Sequence, residues 1–170
     1  AANGLLGAPR AADRTAAEAL LARFGVAHLA GRRYTEISGD ERQLALLARA
    51  LIQQATILVM DEPMAGLDFG RQLQLLQYLR DLAAEGHAVL MTTHHPEHLH
   101  WAATRVAVLI DGRIAADGPP EDIVTAAMLH RLYGVDVIAT RSTTGQVVFQ
   151  PVGEVRADLP CVREAQNIDR

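Results

Sequence analysis

Apolar positions recur at helical spacing over four stretches of the chain, and two further apolar runs read as buried strands. Ala17, Leu20, Leu21 and Phe24 form the first stripe; Thr15 and Glu18 read as its capping box and Gly25 stops it. Residues 1–12 read as loop and 26–37 as irregular. The second helix is expected from about Gly39 to Gln53, with Leu44, Leu47, Ala48 and Leu51 on one face. The third opens at Phe69 or Gly70 and runs through Ala84, with Leu75, Leu76, Leu79 and Ala83 inward, until Gly86 ends it. The fourth spans Thr125–Tyr133 before Gly134. Ile57–Met60 and Ala88–Thr92 are the buried strands; neither alternates with polar residues, which suits strands covered on both faces. A short helix follows Pro96, and Asp111-Gly112 turns a hairpin between Val106–Ile110 and Ile114–Ala116. Gly118-Pro119-Pro120 is a break, and short strands are expected near Val135–Thr140 and Gln146–Gln150.

Strand, helix, strand alternation over 57–110 predicts an α/β fold with a parallel sheet and helical cover. Helices dominate before residue 54. A length of 170 residues suffices for one domain with a core, and 49% hydrophobic residues exclude a disordered chain. The net charge of −4 argues against a nucleic-acid footprint. The lone Cys161 leaves no internal disulfide framework, and no run approaches the roughly 20 apolar residues that span a bilayer. No basic-then-apolar leader opens the chain. The first residue is Ala, not Met, so a processed or truncated piece is expected. There is no lysine, so no phosphate-binding loop ending in Gly-Lys-Ser/Thr is present.

Three places carry chemistry. Ser38-Gly39-Asp40-Glu41 opens an amphipathic helix, and a helix start favours an anion. Ser38 can donate a hydroxyl and Gly39 lets a phosphate come close; Ser38 and Glu41 also fit a plain capping box. Asp61-Glu62 follows the strand 57–60, at the edge where open α/β sheets bind ligands. Asp61 can hold Mg²⁺ and Glu62 can polarise a water, while the alternative is two solvated carboxylates. Thr93-His94 ends the second strand, where a neutral imidazole could donate to a γ-phosphate oxygen. His94 and His98, with His95, His100 and Glu97 nearby, have i, i+4 spacing that a continuous helix could turn into a zinc site. Pro96 argues against such a helix.

Four pieces of the chain, in order, resemble the C-terminal half of an ABC-transporter ATPase. Ile37-Ser38-Gly39-Asp40-Glu41-Arg42-Gln43 resembles the signature motif, and Ile57–Glu62 resembles Walker B with its catalytic glutamate. Ala65-Gly66-Leu67-Asp68 resembles the D-loop and Thr93-His94 the switch histidine. Arg33-Tyr34-Thr35-Glu36, Leu67-Asp68-Phe69-Gly70, Asp117-Gly118-Pro119-Pro120 and Leu132-Tyr133-Gly134-Val135 are similar to importer ATPases for iron–siderophore, haem or cobalamin. The resemblance reaches to about residue 150. It implies a truncated P-loop NTPase core (56–118), a partial helical signature subdomain (1–55) and a small C-terminal αβ extension (119–170).

It further implies ATP and Mg²⁺ as cofactors. Glu62 and His94 are then catalytic and Asp61 is the metal ligand. Ser38, Gly39 and Asp40 face ATP held by a second ATPase subunit in a head-to-tail dimer, and Asp68 reports across that interface. The dimer drives a membrane permease from the cytoplasmic face of the inner membrane, where the ATPase is peripheral. Two departures bear on activity. The family's Walker A and glutamine loops would lie before residue 1, so the chain alone is expected neither to bind ATP tightly nor to hydrolyse it. A central strand would be missing with them, leaving a sheet edge and apolar faces uncovered. Asp40 stands where the family usually has a second glycine, and two like charges about 4 Å apart repel by roughly 1–4 kcal/mol. Asp40→Gly is therefore expected to tighten ATP-driven dimerisation. The competing readings are a non-catalytic remnant that only docks on a permease or an intact ATPase, and a nucleic-acid-linked ATPase, which the acidic balance disfavours.

Overall fold

Leu75, Leu76, Leu79 and Leu82 line one side of α3 (Phe69–Ala84) and are all at most 3% exposed, which makes this helix the centre of the first packing layer. The structure is a computed structural model and describes residues 10–143, 145 and 147–153. It divides into two compact units that part between His94 and His95.

The first unit also holds α1 (Ala11–Arg23), α2 (Gly39–Ile52), β1 (Ile57–Met60) and β2 (Ala88–Met91). Leu82, not the expected Ala83, completes the α3 stripe, because i, i+4 and i+7 from Leu75 keep one face. Gly86, at φ +100°, ends α3 by a left-handed turn. Helix α1 starts earlier than its sequence suggested: Asp13 Oδ2 accepts from the Arg10 N–H at 3.0 Å. Thr15 therefore lies inside the helix and its hydroxyl donates to the Ala11 carbonyl at 3.1 Å. The expected loop over 1–9 lies outside the described residues. Phe24 is fully buried, its ring 4.9 Å from that of Tyr78. Residues 26–37 carry two 3₁₀ turns, Ala27–Leu29 and Tyr34–Glu36.

Strands β1 and β2 pair in parallel, Ile57 with Ala88 through Met60 with Met91. Partners in a parallel ladder share a face. Leu58 is buried, whereas Ile57, Val59 and Leu90 are 64%, 73% and 64% exposed. The expectation of cover on both faces thus fails within the described residues: one face of the pair is apolar and bare.

The second unit contains α4 (Pro96–Ala102), β3 (Val106–Ile110), β4 (Arg113–Gly118), α5 (Pro120–Ile123), α6 (Ala126–Tyr133), β5 (Val137–Arg141) and β6 (Val147–Pro151). Strand β3 does not extend the parallel sheet: it pairs antiparallel with β4. Asp111 and Gly112 both take positive φ, the geometry that a two-residue hairpin needs. Pro119-Pro120 is more than a break, since Pro120 starts a helical turn. Val106, Val108 and Val124 centre the core of this unit. Among the described residues no helix is long and apolar enough to cross a membrane.

Candidate functional site

The tips of β1 and β2 bring three of the sequence candidates together. The ladder continues one step past the strands, where the Thr92 N–H donates to the Met60 carbonyl at 3.0 Å. That step sets Thr92 beside the turn that begins at Asp61. The Thr92 hydroxyl donates to Asp61 Oδ1 at 2.5 Å and accepts from the Glu62 N–H at 2.9 Å. One side chain therefore fixes both acidic residues. Thr92 was not singled out from sequence; its signal is a β-branched hydroxyl residue immediately after an apolar strand.

His94 Nδ1 lies 3.0 Å from Glu62 Oε1, and both side chains are about half exposed. An ionised carboxylate only accepts, so Nδ1 carries the proton. In a neutral ring held this way Nε2 is the acceptor nitrogen. Donating from Nε2 to a phosphate therefore requires either the imidazolium or release from Glu62. Glu62 itself sits at φ +41°, a left-handed conformation costly for a residue with a Cβ. Its anchoring to Thr92 and His94 holds the turn in this state. Pro63 and Met64 are buried and seat the turn from below.

The donor set at this edge fits a hard cation. Asp61 offers carboxylate oxygen, and Mg²⁺ commonly takes one or two carboxylates while keeping several waters. Helix α4 begins at Pro96, so His94 and His98 do not share one helix and their spacing makes no i, i+4 pair.

The second cluster surrounds the start of α2. Ser38 is the N-cap: its Oγ accepts from the Glu41 N–H at 3.3 Å and Glu41 Oε2 accepts from the Ser38 N–H at 2.9 Å. The expected capping box is present. Glu41 Oε1 also lies 2.7 Å from His28 Nε2. The His28 hydrogen bond and then the Ser38 backbone N–H hold the Glu41 carboxyl down to about 2. The Ser38 hydroxyl donates to Asp40 Oδ1, which is the main reason the Asp40 carboxyl lies below its ordinary value. Asp40 Oδ2 lies 3.4 Å from Arg71 Nε. A Cβ on Gly39 would meet nothing within 4 Å, so packing inside the described chain does not demand a glycine there.

Asp68 caps α3, its Oδ1 accepting from the Arg71 N–H at 2.9 Å. The candidates thus form two groups: Asp61, Glu62 and His94 around Thr92, and Ser38, Gly39, Asp40 and Asp68 around Arg71.

Residues 3–65 match the family model described as ABC transporter. The chain is 41% identical over 135 residues to the hemin import ATP-binding protein HmuV of Nocardia farcinica, covering 79% of this chain and 47% of that protein. It is 37% identical over 142 residues to the cobalamin import ATP-binding protein BtuD of Halobacterium salinarum, covering 82% and 36%. A solved structure of a transporter described as metal-chelate type ABC, in an inward-facing conformation, superposes with TM-score 0.78 at 27% identity, over 88% of this chain and 61% of that one. An ABC-transporter ATP-binding cassette in its ADP conformation superposes with TM-score 0.64 at 25% identity, over 73% and 49%. The chain spans about half the length, or less, of these curated relatives.

Proposed function

We propose that this chain, homologous to the ATP-binding proteins of ABC importers, supplies the hydrolytic edge and the signature helix of an importer ATPase whose cargo is an iron–siderophore, haem or related metal chelate. The observation that carries the reading is the clasp at the strand tips. Thr92 holds Asp61 and Glu62 in one turn, and His94 is bonded to Glu62. Undirected carboxylates in solvent do not need such a clasp.

In this reading Asp61 would hold Mg²⁺, which would supply positive charge to offset that of the ATP phosphates. Glu62 orients the attacking water and draws its proton as it adds. His94 keeps the Glu62 carboxylate in line. When protonated, it donates from Nε2 to a γ-phosphate oxygen. Ser38 and Gly39 meet the triphosphate of a second ATPase subunit, and the open space over Gly39 leaves room for it. Asp68 sits at that same interface. Residues 1–55 serve as the signature subdomain, 56–118 as the core and 119–170 as an extension. The working assembly is a head-to-tail ATPase pair under a membrane permease, peripheral on the cytoplasmic face of the membrane. The chain alone neither binds ATP tightly nor turns it over.

A second reading keeps the docking and drops the chemistry. It is favoured by one observation: the Ser38 hydroxyl is already given to Asp40.

The test joins to this chain the part of the Nocardia farcinica relative that it leaves uncovered and measures Mg-ATP turnover. Glu62→Gln is expected to lower it by about 100-fold or more while ATP stays bound. Equal turnover by the parent and Glu62→Gln proteins overturns the role of Glu62. A folded chimera that docks but never turns over selects the second reading.

A further inference from the structure

Arg71 touches both elements that the proposed function assigns to the subunit interface. Its backbone N–H donates to Asp68 Oδ1 at 2.9 Å, which fixes the start of α3. Its guanidinium Nε lies 3.4 Å from Asp40 Oδ2 at the start of α2. Asp40 in turn accepts the Ser38 hydroxyl proton. The chain of contacts runs Ser38, Asp40, Arg71, Asp68, without a gap. The guanidinium is itself steadied, since Nη1 donates to Gln74 Oε1 at 3.0 Å, one turn further along α3. Asp40, Gln43, Leu44, Leu67, Arg71 and Leu75 line a common cleft, so the two helix starts adjoin.

We propose that Arg71 is a positioning residue that couples the turn at Ser38–Asp40 to the turn at Leu67–Asp68, so that the two move as one body. The proposal rests on the reading in which both turns face a second subunit's nucleotide. It also gives Asp40 a task. A glycine at position 40 has no carboxylate to offer Arg71, so the bridge exists only because aspartate stands there. The charge at position 40 is then not simply repulsive to an incoming phosphate. It is partly neutralised by Arg71 and spent on holding Ser38. Arginine suits the task because its planar fork serves two acceptors, here a carboxylate and an amide oxygen.

The experiment uses the ¹⁵N- and ¹³C-labelled 170-residue chain, without nucleotide. Arg71→Gln is expected to shift the amide signals of Ser38, Gly39 and Asp40, although it lies on another helix. The same change is expected to raise the Asp40 titration midpoint towards its ordinary value, and Arg71→Lys is expected to restore most of both effects. Reciprocally, Asp40→Asn is expected to shift the amides of Asp68 and Phe69. Loss of the neighbouring positive charge alone raises the Asp40 midpoint, and Ser38 is the main cause of its lowering, so the amide shifts at the opposite turn and their rescue by Arg71→Lys carry the test. Ser38–Asp40 amides unmoved in Arg71→Gln, together with Asp68 and Phe69 amides unmoved in Asp40→Asn, overturn the coupling. The ATPase reading stands or falls on the turnover of the chimera, so the two failures are distinguishable.

Discussion

His94 Nδ1 and Glu62 Oε1 meet at 3.0 Å across the ends of two adjacent parallel strands, though 32 residues separate them in sequence. Glu62 makes this contact from a left-handed backbone at φ +41°. Strain of this kind gathers at functional turns, where the surrounding bonds hold it. Asparagine tolerates this conformation better than glutamate. Glu62→Asn is therefore expected to raise the stability of the chain by roughly 0.5–1 kcal/mol in urea unfolding, while abolishing turnover in the chimera. A destabilised Glu62→Asn protein would mean that the His94 contact outweighs the strain.

Thr92 makes two hydrogen bonds with one hydroxyl, to Asp61 and from Glu62. Thr92→Val keeps the shape and loses both. The expected loss is about 0.5–1.5 kcal/mol for such partly solvated bonds, measured by chemical unfolding. Thr92→Ser should retain most of it. The functional cost in the chimera should exceed the stability cost, because the Asp61 carboxylate and the Glu62 backbone both lose their anchor.

Acid should weaken the chain through Glu41. Its folded value is held at about 2, below the ordinary 4.5. A depressed acid contributes stability in full above its unfolded value, and this is lost as pH falls through the folded value. The window therefore runs from about 4.5 down to about 2. Asp40, Glu85 and Asp117 are lowered too, through Ser38, Arg23 and Arg105 respectively, and act with the same sign. Glu41→Gln is expected to flatten the pH dependence of the unfolding midpoint in this window, with parent and variant converging near its lower end.

The bare sheet face gives a solubility prediction. Val59 and Leu90 pair in register and are both largely exposed. Contiguous apolar surface of this kind promotes association. Val59→Thr combined with Leu90→Gln is expected to reduce self-association in light scattering, with little loss of stability, since neither side chain is buried in the described chain.

Much of this was legible in the sequence, and the misses have physical causes. Leucine spacing foretold α2 and α3, and Asp111-Gly112 foretold the β3–β4 hairpin, because each signal is local. The Ser38 capping box was read correctly for the same reason. The start of α1 was misjudged because Thr15 and Glu18 mimic a cap, while Asp13 reaching back to Arg10 supplies the first-turn bond. The buried character expected for Ile57 and Val59 failed because an apolar run states what a strand prefers, not which neighbours cover it. Thr92 and Arg71 were missed because their roles are set by pairing across elements: one by the β1–β2 register, the other by where α2 and α3 adjoin.

The most direct measurement is paramagnetic relaxation by Mn²⁺ with ATP on the ¹⁵N-labelled chain at millimolar concentration. The account predicts that signals of Asp61, Glu62, Thr92 and His94 broaden at the lowest Mn²⁺, that Ser38 and Gly39 keep their intensity, and that Asp61→Asn removes the effect. Broadening centred on another acidic group such as Glu121-Asp122, or unchanged by Asp61→Asn, would contradict it.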